Sequence, residues 1–161
     1  MKERKVLFVC TGNVFRSLSA EYALKKYLID SKIKGWQVSS AGIIAKKQFI
    51  HPKTISTFNK FGVDVLIHVQ RKLSRKILDE SDLIIAMSKN HVDFIKSNFN
   101  FNKVFLFNEL AINRKSSVKD IDSVKNYMTN KVGVDRKIRR TIMRIMKSTP
   151  NLFKQINKIL N

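Results

Sequence analysis

Apolar residues fall along this chain in short blocks of two kinds. Residues 4 to 9 contain the unbroken run Val6-Leu7-Phe8-Val9, and Leu83-Ile84-Ile85-Ala86-Met87 is a second such run. Neither alternates with polar residues, so each predicts a strand buried on both faces, as in a parallel sheet. Shorter strands are predicted from Trp36 to Ser40, closing on Ala41-Gly42, and from Val104 to Phe107. Between the strands the spacing becomes helical. Ala20, Ala23, Leu24, Tyr27 and Leu28 share one face of a helix predicted over residues 17–31. Pro52 can start a helix that runs to Phe61, with Gly62 as its stop. Short helices are predicted at Leu73 to Glu80 and Asn90 to Phe99. Asn108 to Val124 predicts a loop, long enough to be functional. Ile138 to Leu160 predicts a helix broken once, at Pro150.

This alternation predicts an α/β fold. The expected architecture is a single domain over residues 1–161, a doubly wound parallel sheet of about four strands with helices on both faces. Ligands of such sheets bind beyond the C-terminal ends of the strands. At the end of the first strand stands Cys10, the chain's one cysteine.

Cys10-Thr11-Gly12-Asn13-Val14-Phe15-Arg16-Ser17 joins that strand to the first helix. A tight loop before a helix start turns its backbone N–H groups inward and cradles an oxyanion. Gly12 and Asn13 tolerate the left-handed backbone that such a loop needs. Arg16 can fork two N–H donors onto two phosphate oxygens. The same field favours a Cys10 thiolate nucleophile. Ser17 is placed to cap the helix and to donate to the sulfur. A thiolate facing a bound phosphate points to phosphoryl transfer through a cysteinyl phosphate, with the phosphate loop following strand 1.

At these residues the chain resembles the low-molecular-weight protein tyrosine phosphatase family, whose pattern is V-C-x-G-N-x-C-R-S-x-x-A-E. Here it reads Val9 to Glu21, with Phe15 in place of the family's frequent second loop cysteine. The resemblance continues in Ser40-Ala41-Gly42, in His68-Val69-Gln70-Arg71-Lys72-Leu73 and in Asp82-Leu83-Ile84-Ile85-Ala86-Met87. It implies that Cys10 attacks, that Arg16 and loop residues Thr11, Gly12, Asn13, Val14, Phe15 and Ser17 hold the phosphoryl group, and that Ser40 and His68 support the loop through Asn13 and Ser17. The family's general acid lies in a V-x-D-P loop. Val118-Lys119-Asp120-Ile121 matches with Ile for Pro, which favours Asp120 over Asp122; Glu109 and Asp135 are the other carboxylates of that region.

In the family a bulky aliphatic residue at position 14 accompanies phosphotyrosine activity, and threonine accompanies protein-arginine phosphatases. Val14 therefore implies an aryl phosphate, with a phosphoarginine substrate as the alternative. Tyr127 is the aromatic residue nearest the acid loop. Thiol-dependent arsenate reductases of the family need further cysteines to resolve the reaction, and this chain has none. No cofactor is implied. The three histidines show no metal-ligand spacing, and His51 and His91 stand in no recognisable motif.

Charge adds a second theme. Thirty-two Lys and Arg against twelve Asp and Glu give a formal +20. Such a field attracts phosphorylated proteins, the implied substrates, and leaves open weak binding to nucleic acid or an anionic membrane; the alternative to an enzyme is a basic polyanion- or membrane-binding protein with a relict phosphate loop. Ile138, Ile142, Ile145 and Met146 form an apolar stripe flanked by cations, which would either lie on a membrane or pack on the sheet. No obligate partner is implied. A lone cysteine fits a reducing compartment, and the first apolar run is too short for a secretory signal or a membrane span. Both point to the cytoplasm.

Overall fold

The computed structural model describes residues 3–161. Four strands form one sheet in the order β2-β1-β3-β4, where β1 is Arg4–Cys10, β2 Trp36–Gly42, β3 Leu83–Ala86 and β4 Val104–Leu106. Every pairing is parallel, with Val6 opposite Val38 on one side and Leu83 on the other. The central strands are buried on both faces, as their unbroken apolar runs require. Val6, Phe8 and Cys10 face the layer of α1 (Arg16–Asp30), α5 (Phe107–Ile112) and α6 (Lys131–Leu160). Leu7 and Val9 face the opposite layer, built on α3 (Arg75–Asp79) and α4 (Lys89–Phe99). A third cluster joins Phe15, Leu18 and Tyr22 to Phe58 of α2 (Pro52–Asn59) and to Val134, Ile138 and Ile142 of α6. The doubly wound sheet predicted from the sequence is the one observed.

Four local expectations are corrected. The segment after β4 is not all loop: it holds α5, and a 3-10 turn spans Ile121–Ser123. Helix α6 begins seven residues before Ile138, capped by Asn130, whose side chain accepts from the Gly133 N–H at 2.9 Å. Asp135 is therefore inside the helix. Pro150 does not break α6. Proline at 150 removes the donor to the Met146 carbonyl; one residue earlier, the Ile145 carbonyl accepts from the hydroxyls of Ser148 and Thr149, at 3.1 and 2.7 Å. The residue capping α1 is Phe15, with no side-chain bond, so Ser17 lies within the helix and its hydroxyl is free for the sulfur.

The apolar stripe of α6 packs inward. Ile138, Ile142 and Ile145 are at most 2% exposed, which leaves them no membrane-facing surface. Among the described residues no helix is long and apolar enough to cross a membrane.

Gly42 ends β2 directly against the loop that follows β1. A Cβ there would sit 2.6 Å from the Thr11 carbonyl oxygen and 2.8 Å from the Asn13 nitrogen, both backbone atoms. Gly42→Ala must therefore displace the loop. We expect a stability loss of about 1–3 kcal/mol and a larger, separate loss of phosphate affinity, measured by thermal unfolding with and without phosphate. Unchanged phosphate affinity in the alanine variant would contradict this account.

Candidate active site

The loop from Cys10 to Arg16 is held from several sides. Asn13 takes the left-handed backbone, φ 55°, and its side chain is fully engaged. Its Nδ2 donates to Ser17 Oγ at 3.0 Å and Ser40 Oγ at 2.7 Å, and its Oδ1 accepts from the Arg71 N–H at 2.9 Å. His68 Nε2 donates to the Asn13 carbonyl at 2.9 Å. Ser40, having accepted from Asn13, donates to the buried carboxylate of Glu21, which also pairs with Lys25. Ser40 and His68 thus touch the loop where the sequence motifs place them. Glu21 and Arg71, to which the sequence alone assigns no role, complete the network. Burial pushes the His68 pKa down, only partly opposed by the Asn13 carbonyl and the Glu21 carboxylate.

The network directs protons at the sulfur. Because Ser17 Oγ accepts from Asn13, its own hydroxyl is free to donate to Cys10 Sγ, 2.9 Å away. The Asn13 N–H donates to the same sulfur at 3.3 Å. Around it, the N–H groups of Thr11, Gly12, Val14 and Phe15 make no hydrogen bond among the described residues. Arg16 closes the ring. Its Nη1 donates to the Val118 carbonyl at 3.2 Å, and its Nη2 to Thr11 Oγ1 at 3.1 Å and Asp120 Oδ2 at 2.8 Å. Its Nε is buried without a partner. A buried donor without a partner is costly, and here it lies beside a sulfur and a set of unused amides. The arrangement suits a tetrahedral oxyanion with several acceptor oxygens.

Asp120 comes to the site on an anchored loop. The Val118 N–H donates to the Met87 carbonyl at 2.8 Å, just beyond β3. The Ile121 N–H donates to Asp120 Oδ1 at 2.8 Å, a bond that a proline at 121 could not make. The departure from Asp-Pro is thus offset by a side-chain clamp. Asp122 and Glu109 are exposed and do not line the cavity. Asp135 lies 4.0 Å from His51 Nε2.

A cavity of about 600 Å³ opens above the sulfur. Cys10, Thr11, Gly12, Val14 and Arg16 form its floor, and Asp120, Ile121 and Ile138 one wall. The facing rim is the segment after β2, which the sequence left unassigned: Ile44, Lys46, Gln48, Phe49 and Ile50 all reach the cavity. Phe49 is fully exposed. It, and not Tyr127, is the aromatic residue at the mouth. Phe15 borders the cavity but mostly fills the α1–α2–α6 core. Among the described residues no group of three or more acidic, His or Cys side chains could hold a metal.

His91, which stands in no sequence motif, also belongs to the site. It is completely buried, with Nε2 2.9 Å from Thr11 Oγ1 and Nδ1 2.7 Å from Ser88 Oγ. Ser88 gives its proton to Asn90, so Nδ1 must carry the hydrogen, and Nε2 accepts from Thr11. Burial, with a smaller push from Arg16, lowers the His91 pKa from 6.5 to about 4. The unfolded chain therefore binds a proton between those values that the folded chain refuses. Stability should be full above pH 6.5 and fall, by an amount on the order of a few kcal/mol, as pH drops towards 4. His68 acts in the same direction. His91→Gln should flatten part of this slope in urea unfolding at pH 7, 5.5 and 4.5; an identical slope in the variant would refute it.

The family model described as "Low molecular weight phosphotyrosine protein phosphatase" matches residues 5–160. A low molecular weight protein-tyrosine-phosphatase from Acinetobacter johnsonii is 32% identical over 104 residues, covering 64% of this chain and 70% of the relative. Arsenate reductase 2 from Staphylococcus haemolyticus is 37% identical over 87 residues, 54% of this chain; the match spans 62% of that protein's length. Among solved structures, a mutant of the YwlE arginine phosphatase with a phosphorylated active site serine superposes with TM-score 0.81 at 25% identity, covering 96% of both chains. With the parallel sheet and the loop after β1, these matches assign the chain: it belongs to the low molecular weight phosphotyrosine protein phosphatase family.

Proposed function

We propose that this protein is a cytoplasmic protein tyrosine phosphatase acting on phosphorylated proteins, without metal or cofactor. The observation that carries the proposal is the meeting of Cys10, Arg16 and Asp120 at one cavity, the last two 2.8 Å apart. In the first step the Cys10 thiolate attacks phosphorus in line with the departing oxygen. An S–P bond forms and the P–O bond breaks, while Asp120 gives its proton to the phenol oxygen. Arg16 and the loop N–H groups hold the three equatorial oxygens as charge redistributes. In the second step the Asp120 carboxylate takes a proton from water. The hydroxide oxygen attacks phosphorus, the S–P bond breaks, and inorganic phosphate leaves with the thiolate restored. Ser17 supports the sulfur each time it departs. A nucleophile that must remain reduced suits the cytoplasm.

Phosphotyrosine is favoured by Val14 on the floor and by Phe49 at the mouth, where an aryl ring would lie against apolar surface. The 25% identity to an arginine phosphatase keeps phosphoarginine as the second reading. The arsenate reductase relative does not add a third, because a single cysteine leaves no thiol to resolve an arsenylated Cys10. Matched phosphotyrosine and phosphoarginine peptides, assayed side by side, test the choice. At least tenfold higher kcat/KM for phosphotyrosine is expected; the reverse order would move the protein to the second reading.

A further inference from the structure

The phosphate cavity accounts for a small part of the basic surface. Lys137, Arg140 and Arg144 stand at i, i+3 and i+7 on α6, so they share one side of the helix. The strip starts at the cavity: Ile138, next to Lys137, forms part of its wall, and Lys119 precedes Asp120. Further along α6, Arg139, Arg140, Met143 and Arg144 line a shallow concavity of about 430 Å³. Among the described residues, Lys119, Lys137, Arg140 and Arg144 form no ion pair. Lys137 is half-buried. Burial, Lys119 and Arg144 all lower its pKa, and Asp120 opposes them, so the acid loop and the strip share one electrostatic neighbourhood. Clustered cations without counter-charge repel one another; an anionic ligand relieves that repulsion.

We propose that this strip, running from Lys119 and Lys137 at the cavity edge to Arg140 and Arg144, binds acidic residues flanking the phosphorylated residue of the protein substrate. The proposal rests on the phosphatase function proposed above and names its substrate class. A phosphorylated side chain on the cavity floor brings its neighbours in the chain across the cavity edge. From Lys137 to Arg144 the helix advances about 10 Å, the length of roughly three extended peptide residues. Two or three Glu or Asp side chains match that length. It is short for a nucleic acid, whose single-stranded sites run to about 4–16 nucleotides. The facing rim carries Ile44, Phe49 and Ile50 beside one cation, Lys46, so the charge preference belongs to one side of the phosphorylated residue.

The test uses fluorescent phosphotyrosine peptides with three Glu on the N-terminal side, three Glu on the C-terminal side, or Gln throughout. Binding to the Cys10→Ser protein is read by anisotropy at low salt. One Glu peptide should bind at least tenfold tighter than the Gln peptide, and the gap should close at about 0.5 M salt. Lys137→Gln with Arg144→Gln should bring it within about threefold. So should Lys119→Gln with Arg140→Gln, which guards against a folding defect in the first pair. Removing the same charge elsewhere, by Lys96→Gln with Lys103→Gln, should leave the gap in place. Equal binding of all three peptides, equal gains from Glu on either side, or loss of the gap in the Lys96/Lys103 control would overturn the strip. So would tighter binding of a single-stranded oligonucleotide that displaces the Glu peptide. Turnover of para-nitrophenyl phosphate by the unmodified protein separately reports the phosphatase function, so the two can fail independently.

Discussion

Cys10→Ser should lower turnover of aryl phosphate by at least about four orders of magnitude while phosphate and vanadate still bind. The Cys10 sulfur is the atom on which the Ser17 hydroxyl and the Asn13 N–H both converge, at 2.9 and 3.3 Å. Two donors aimed at one acceptor suit a thiolate. A serine oxygen in the same place stays protonated, because its intrinsic acidity is far too low for this field, and a neutral hydroxyl is a poor nucleophile here. The side chain loses little volume and the Asn13 bonds to Ser17 and Ser40 persist, so the phosphate cradle survives. Binding and turnover therefore part company. Isothermal titration with phosphate, beside a stopped aryl phosphate assay, gives both numbers. Turnover within tenfold of the parent would remove Cys10 as nucleophile; loss of phosphate binding together with turnover would mean that the cradle itself had collapsed.

The parts of this site that lie close together in sequence were legible there. Cys10, Gly12, Asn13, Arg16 and Ser17 fall within eight residues, and each residue type has its own use in an anion loop. The central strands were legible because burial on both faces leaves no polar position to confuse the pattern. Ser40 and His68 came only through motif resemblance, since neither is chemically marked in its own segment. Phe49 was not legible: it sits in irregular chain between β2 and α2, where no periodicity assigns a side chain to a surface. Nor was His91. It enters the site because parallel β1 and β3 set α4 beside the loop after β1, a tertiary fact. The start of α6 was missed because Gly133 is a poor helix former. There it serves the cap, leaving room for the Asn130 side chain that accepts its N–H. Pro150 carries the usual signature of a breaker, yet α6 continues through it, held on both sides of the proline by tertiary packing at Ile145, Leu152 and Ile156.

Asp120→Ala should lower kcat by about 10² to 10⁴ for an unactivated aryl phosphate such as phosphotyrosine, and far less for a phenol acidic enough to leave unprotonated. The split by leaving group is what distinguishes proton donation from a structural role. Asp120 has a structural side: it accepts from Arg16 at 2.8 Å and from the Ile121 N–H at 2.8 Å. Alanine removes both contacts with the proton. Asp120→Asn separates them, because the amide oxygen can still accept from Arg16 or Ile121 but no carboxyl remains to give and retake a proton. The asparagine variant should therefore be nearly as slow as the alanine variant on phosphotyrosine, and nearly as fast as the parent on an activated aryl phosphate. Asp122→Ala, which alters an exposed residue outside the cavity, should stay near the parent on both. If Asp120→Asn restored most of the phosphotyrosine rate, Asp120 would be acting by holding Arg16 in place. If Asp122→Ala proved the slower variant, the acid would sit two residues further on, at an exposed position in the middle of the 3-10 turn. The loop would then have to rotate on binding substrate, breaking the Arg16 contact that defines the site in this structure.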